Sequence, residues 1–287
     1  MKLKTILYFV SLLVSQAYAA DHIDDLWERL NTDFESKPHF FNATVNEERN
    51  GVMSDFIPIL FKEYAFNNAL PLSAKQLAQL PEAGFLDKTP FRLAMAGRER
   101  LVKAGKIKKK SLLAITDFSK HSRFRRFYIL DVEKGEVLLN TWTSHGFKSD
   151  TNLDGLADAF SNLSGSQMSS VGFMVSEVQY KGSYGLSLKL RGLDPKLNSN
   201  VSSRAIVIHG YGGMGAHEAS RGNLSYSEGC LMFSTNESGR FSGMEDKSLV
   251  ELVIKTLGRG ALLFNHTNLS DTIYQSSWIK KNDVFVE

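Results

Sequence analysis

The chain has 287 residues, of which 43% are hydrophobic and 23% charged, a composition that excludes a disordered or fibrous protein. Its 34 Lys and Arg residues nearly balance its 31 Asp and Glu residues. Without the two N-terminal lysines, Lys2 and Lys4, the balance is 32 against 31, so net charge provides no general attraction to nucleic acid, and none is expected as a partner.

The first 19 residues have the pattern of a secretory signal peptide. Lys2 and Lys4 precede the short apolar stretch Ile6–Val14, and Ala17–Ala19 places alanine at the two positions that a signal peptidase reads. No segment reaches the roughly 20 apolar residues of a transmembrane helix. We therefore predict a signal peptide over 1–19 and an exported protein without a transmembrane anchor, in the periplasm of a Gram-negative bacterium.

Residues 20–108 have helical spacing and contain no catalytic pattern. The clearest helix is predicted to begin at Thr89-Pro90, which suit an N-cap and the first helical position, and to stop at Gly105. Four lysines then occur within residues 106–110, as in a solvated linker or a contact with an anionic wall polymer. We predict a helical N-terminal region that ends at residue 108.

From residue 109 to residue 268 the sequence has the short apolar and β-branched runs of strands. Strands are predicted over Leu112–Phe118, Phe124–Val132, Glu136–Thr143, Leu186–Leu190, Arg204–Ile208 and Ala261–Phe264. A helix that bears the apolar residues from Leu249 to Leu257 is predicted to follow a capping box formed by Ser242 and Glu245. The prediction is a mainly β domain with flanking helices, and a C-terminal tail over 269–287.

The chain has one cysteine, Cys230, so an intramolecular disulfide is impossible. The predicted strand Arg204–Ile208 delivers His209-Gly210 at its end, and a glycine-rich loop then leads to Ser227–Cys230. An imidazole can accept the proton of a thiol and hold the resulting ion pair. Gly229 leaves room for backbone N–H groups to face an oxyanion. The pattern therefore predicts a cysteine nucleophile with a histidine base.

This segment resembles the murein L,D-transpeptidase catalytic domains of the YkuD type, which have His-Gly on a strand and Ser/Thr-x-Gly-Cys about twenty residues later. The chain is most similar to the exported murein transpeptidase-like branch of that family. Further matches, in the same order along the chain, are Asp117–Lys120, His145-Gly146, Phe160–Asn162, Gly165-Ser166, Ser169-Ser170, Tyr180–Gly182 and Gly185–Leu188. The resemblance implies a β-sandwich or barrel catalytic domain.

The resemblance also implies roles for individual residues. Cys230 corresponds to the nucleophile, His209 to its base, and Gly229 to the neighbour that shapes the oxyanion hole. Ser227 occupies the Ser/Thr position of the motif, and His145 stands where the branch has a second His-Gly, as a substrate-binding candidate. From their charge or polarity alone, Tyr211, Arg204 and Arg221 are candidates for binding a peptide carboxylate.

Four positions around the cysteine depart from the patterns of the family or of its branch. The better-known transpeptidases have His before the glycine and Arg two residues after the cysteine, where this chain has Glu228 and Met232. The branch commonly has Arg-Ser-Trp-Gly-Cys-Pro, where this chain has Tyr226–Leu231. The missing arginine leaves open how the substrate carboxylate is bound, and whether transpeptidation or simple cleavage is preferred.

The activity that the resemblance implies is a transpeptidation of peptidoglycan stem peptides through a thioester, without a metal or organic cofactor. Water in place of the acceptor amine would give an L,D-carboxypeptidase or endopeptidase. Two other classes use the same residues: a cell-wall-binding protein without activity, and a zinc site. The zinc ligands would be His209, His217, Glu218 and Cys230, although the spacing from His209 to His217 fits no helix face.

Overall fold

The structure is a computed structural model that describes residues 21–36, 86–215, 218–219, 224–236, 238–241 and 244–283. The predicted signal peptide over 1–19 lies outside these residues. Within them, each helix is too short or too polar to cross a bilayer.

Two helices lie before the first strand. Helix α1 covers residues 21–36 and helix α2 covers Lys88–Lys103. The N-cap of α2 is Asp87, so the prediction of Thr89 is wrong by two residues, and Pro90 occupies the third helical position. Proline is tolerated there because the first N–H groups of a helix have no intrahelical partner.

Eight strands form one sheet whose order is β3-β2-β1-β10-β4-β5-β6-β7. The strands are β1 (Lys109–Asp117), β2 (Phe127–Asp131), β3 (Glu136–Thr141), β4 (Gly172–Gly182), β5 (Gly185–Gly192), β6 (Val207–Tyr211), β7 (Leu231–Ser234), and, after the separate pair β8 (Ser238–Phe241) and β9 (Met244–Ser248), β10 (Ala261–His266). The β1–β10 and β6–β7 pairs are parallel, and the other pairs are antiparallel. The prediction of a mainly β domain with flanking helices is confirmed.

Two sequence predictions about element ends are wrong. Strand β6 begins at Val207 rather than Arg204, because Ala205 has a positive φ of 54° that is incompatible with a strand. His209 therefore lies inside the strand and not after it. Helix α3 covers Leu249–Leu257 with Ser248 at its N-cap, and Glu245 belongs to β9, so Glu245 is not in the first turn of the helix as a capping box requires. Ser242 lies outside the described residues.

The two faces of the sheet carry separate apolar clusters. One cluster contains Leu26 of α1 and Phe91 of α2, which pack on residues such as Ile115 and Phe264. The other contains Val253 of α3 together with residues such as Ile208. Burial of both faces stabilises the sheet and makes it a rigid support for the residues at its edge.

The two ends of the sheet meet beside β7. The segment that follows β3 contacts β7 through Thr143 Oγ1, which donates to Met232 O at 3.2 Å, and Ser144 Oγ, which donates to Cys230 O at 3.1 Å. Gly146 and Ser227 then form an isolated parallel bridge. The sheet thereby curls toward a barrel, and the closure fixes the backbone of the cysteine motif.

Candidate active site

The parallel pairing of β6 with β7 brings the predicted base and nucleophile together. His209 is opposite Met232 in the register, and Cys230 directly precedes β7. Residues two apart on a strand share a face, so His209 and Cys230 point to the same side. The two residues lie on neighbouring strands and are offset by two residues along the strand direction. Their Cα atoms are therefore about 8 Å apart, and their side chains can converge.

The His209 imidazole is buried and held in one orientation. Nδ1 lies 3.1 Å from Gly210 O. A carbonyl oxygen only accepts hydrogen bonds, so Nδ1 carries the proton and Nε2 keeps its lone pair. Burial lowers the pKa of His209 and outweighs the bond to Gly210, which raises it. The ring is therefore a neutral base with Nε2 available.

The Cys230 thiol is partly exposed and also neutral at rest. Its Sγ donates to Ala205 O at 3.7 Å. Burial raises the pKa of the thiol and outweighs the Val207 N–H and the charge of Arg204, which lower it; Glu228 raises it further. In the described residues no hydrogen bond joins Sγ to His209, so the structure favours two neutral groups over the ion pair considered from the sequence.

Ser227 organises the turn that carries the cysteine. Its Oγ donates to Cys230 O at 2.7 Å and accepts the Gly229 N–H at 3.0 Å, and its own N–H donates to His145 O. The side chain is buried. Because Ser227 Oγ occupies the Gly229 N–H, that group is not free to bind an oxyanion in this geometry.

Gly229 is needed for backbone conformation and for space. Its φ is +114°, and a Cβ there would lie 2.6 Å from Met168 O and 2.9 Å from Ile206 Cδ1.

We expect Gly229→Ala to lower the free energy of unfolding by about 1–3 kcal/mol more than Gly165→Ala, through overpacking. Gly165 also has a positive φ, +74°, but has nothing within 4 Å of its Cβ position, so it serves as the control. If denaturant unfolding shows that both variants lose the same free energy of unfolding, the close contacts at Gly229 do not destabilise the alanine variant.

Arg204 holds a neighbouring loop rather than presenting a free charge. Its two terminal nitrogens donate to four oxygens of that loop, those of Ser161 O, Ser170 Oγ, Ser166 Oγ and Met168 O, at 2.6–3.1 Å. In this structure the guanidinium therefore fixes the loop beside Cys230. The assignment of Arg204 to binding a substrate carboxylate stays a prediction.

His145 is also structural in its contacts. It is 1% exposed, Arg126 Nη2 lies 2.7 Å from its Nδ1, and its Nε2 faces Asp150 Oδ2 at 3.5 Å. Burial and the charge of Arg126 lower the pKa of His145 to about 2. The ring is buried in this structure, and the substrate-binding assignment of His145 stays a prediction.

Two exposed tyrosines flank His209. Tyr211 is 42% exposed and Tyr184 is 58% exposed, with ring centroids 6.3 Å apart. Tyr211 was a candidate from the sequence, whereas Tyr184, which stacks on His209, was not. Its signal in the sequence is an aromatic residue in a hairpin turn between Gly182 and Gly185. Arg221 lies outside the described residues.

The positions that depart from the family pattern have different environments. Met232 is buried in a small cluster with Trp142 and Met214, so it replaces a charged group with an apolar contact. Glu228 is exposed and accepts a hydrogen bond from Gln167 Nε2 at 3.1 Å. Neither residue presents a positive charge to a substrate carboxylate.

The described residues contain no ligand cluster for the zinc site that the sequence left open. Across the described ranges, no group of three His, Cys, Asp or Glu side chains is arranged to hold a metal ion. Glu218 Oε2 instead accepts the Gly215 N–H at 3.0 Å, and His217 lies outside those ranges.

Comparisons with known proteins identify one family. A family model described as the L,D-transpeptidase catalytic domain matches residues 82–266. Solved structures from Mycobacterium tuberculosis are similar over 55% of this chain: an L,D-transpeptidase of strain H37Rv (11% identity, TM-score 0.32), L,D-transpeptidase 3 (10%, 0.33) and L,D-transpeptidase 1 (12%, 0.27). The matches cover 58%, 61% and 62% of those chains, respectively. No curated protein matches this sequence.

Proposed function

Because this chain belongs to the L,D-transpeptidase catalytic-domain family, we propose that it is a cysteine-dependent transpeptidase of peptidoglycan stem peptides. The observation that carries the proposal is the placement of Cys230, the lone thiol, on the same face as the buried base His209. Family membership supports a peptidoglycan-modifying enzyme; the nucleophile, the thioester and the substrate are our inference.

The acylation step follows from this arrangement. The Cys230 Sγ attacks the carbonyl carbon at the L-centre of the third stem residue, a diamino acid, while His209 Nε2 accepts the thiol proton. Collapse of the tetrahedral intermediate breaks the peptide bond, and the imidazolium returns the proton to the leaving nitrogen of D-alanine. The thioester is then attacked by an amine of another stem, whose proton passes to His209 and finally to the departing thiolate.

The protonation states of Cys230 and His209 favour a mechanism in which the thiol loses its proton during the attack, rather than one in which a thiolate exists beforehand. Burial raises the pKa of Cys230 and lowers that of His209, so both groups start neutral. General base catalysis moves the proton as the C–S bond forms. This differs from enzymes in which a preformed ion pair supplies the nucleophile.

Incubation with purified sacculi, followed by mass analysis of the muropeptides, tests the proposal. A transpeptidase produces new cross-links between diamino acids with loss of D-alanine. An L,D-carboxypeptidase or endopeptidase produces shortened stems without new cross-links, since water resolves the same thioester. Unchanged muropeptides alongside retention of the protein on sacculi would favour the non-catalytic cell-wall-binding alternative.

The proposed substrate requires export, and the signal-peptide pattern of residues 1–19 supports it. We propose processing after Ala19 and a periplasmic location. Intact-mass measurement of protein from the periplasmic fraction tests this: the mature chain should begin at Ala20, whereas an unprocessed N-terminus would contradict the assignment.

Glu228 provides a test of the electrostatics around the thiol. We expect Glu228→Gln to increase the alkylation rate at neutral pH, because loss of its charge lowers the pKa of Cys230 and enlarges the thiolate fraction. Glu228 is exposed, so screening limits the increase to less than about threefold. Gln167→Ala keeps the charge and removes only the hydrogen-bond partner, so its iodoacetamide kinetics should match wild type. Loss of turnover in Glu228→Gln would instead show that the Glu228 carboxylate is required for activity.

A further inference from the structure

One face of the His209 imidazole is covered by a side chain that the chemistry above does not use. The Tyr184 and His209 rings are stacked, with centroids 4.5 Å apart and planes inclined by 25°. His209 is only 6% exposed, whereas Tyr184 is 58% exposed. The tyrosine therefore leaves most of its own surface in solvent while it shields the imidazole.

The local fold of Tyr184 does not require an aromatic residue. Tyr184 lies in the two-residue turn between β4 and β5, directly before Gly185, whose φ is +79°. Such turns favour Gly, Asn, Asp and Ser. The strand β5 that follows the turn pairs with β6 through Leu188 and Ile208, so the turn is held beside the strand that bears His209.

The stack adds a constraint on the imidazole to the one that its hydrogen bond provides. The χ2 torsion of histidine has broad minima, so a single hydrogen bond leaves the ring plane loosely defined. The bond from Nδ1 to Gly210 O decides which nitrogen faces the backbone, and the Tyr184 ring restricts the tilt of the plane. Proton transfer is sensitive to this geometry, because small misplacements of a base reduce the rate steeply.

We propose that Tyr184 is a positioning residue, which fixes the plane of the His209 imidazole and keeps water from its outer face. The proposal rests on the proposed function, in which His209 is the base. An aromatic ring suffices for this role, so the phenolic hydroxyl is dispensable. The nearby Tyr180, whose ring lies 5.4 Å from Lys189 Nζ, belongs to the same hairpin and has no such role.

The kinetic test compares Tyr184→Ala, Tyr184→Phe and the hairpin control Tyr180→Ala on a tetrapeptide donor. We expect Tyr184→Ala to lower kcat by about 10- to 100-fold, with KM changed by less than about twofold. Tyr184→Phe should restore the rate because it keeps the ring, and Tyr180→Ala should follow wild type. Wild-type turnover in Tyr184→Ala, equal losses in the Phe and Ala variants, or an equal loss in Tyr180→Ala would each overturn the proposal.

An NMR titration of His209 separates this proposal from the proposed function. The His209 resonance is assigned by its loss in His209→Ala. Burial holds the pKa of His209 below 6.5 in wild type, so removal of the ring should raise it toward 6.5 in Tyr184→Ala but not in Tyr184→Phe. An unchanged pKa in Tyr184→Ala would overturn the role of Tyr184. The titration requires no turnover, so it stays decisive even when the sacculus assay shows no activity.

Discussion

Replacing Cys230 by alanine is expected to lower turnover by about 10⁴-fold or more, because the covalent route then has no nucleophile. Cys230 is the only cysteine, so no other thiol can substitute for it. The measurement is release of D-alanine from a tetrapeptide donor by wild type, Cys230→Ala and Cys230→Ser. The fold should persist in both variants, since the thiol is partly exposed and its contacts are hydrogen bonds of sulfur with the backbone of Ala205 and Val207, which are weak.

Intact-mass spectrometry gives a second readout of the same prediction. Wild type treated with a carbapenem or with the tetrapeptide donor should gain one adduct, and neither variant should gain any. Far-UV circular dichroism and thermal unfolding serve as controls for folding. Full activity in Cys230→Ala would refute the mechanism, and a wild type that forms no adduct with either reagent would count strongly against it.

His209→Ala is expected to lower turnover by at least about 10²-fold, the lower range of general base catalysis. The pH profile carries the more specific expectation. Burial lowers the pKa of His209, so wild-type activity should rise with pH through a value below 6.5 as the ring becomes neutral. Without the imidazole, activity requires the thiolate. Because burial raises the pKa of Cys230, the rising limb should then move above the ordinary thiol value.

An exposed histidine far from the site provides the control for this prediction. His22 lies on α1 with its side chain in solvent, so His22→Ala should keep the wild-type rate and profile. Iodoacetamide kinetics near neutral pH should also slow in His209→Ala, because Nε2 is no longer present to accept the thiol proton as the C–S bond forms. Should the alkylation rate and the rising limb both be unchanged, a group other than His209 activates the thiol.

Several features of this protein were predictable from sequence because they depend on neighbours along the chain. Helix α3 displays an apolar face between Leu249 and Leu257, and its residues Leu252, Val253 and Ile254 are buried. The period of the apolar residues likewise indicated β1, β2, β3 and β10. The lone cysteine and the His-Gly motif indicated the pair of side chains that we propose to react, since reactivity begins with side-chain identity.

Strand β4 shows where such patterns fail. Its first five residues, Gly172–Ser176, are buried, while all six remaining residues up to Gly182 are exposed or half-buried. A strand that passes from a two-sided core to a one-sided edge follows neither a continuous apolar run nor a strict alternation. Its partners, β10 and β5, are what stabilise it.

The contacts of the polar residues were decided by tertiary structure. Arg204 resembles a free carboxylate-binding group in the sequence, yet both terminal nitrogens of its guanidinium donate to loop oxygens from residues 161–170. His145 is buried against Arg126, and Tyr184 reaches His209 on the strand next to its own hairpin. These contacts join residues 19 to 43 positions apart, and they depend on strand register and sheet closure. The sequence by itself therefore determined which groups can react, whereas the pairing of distant strands decided which groups are free to do so.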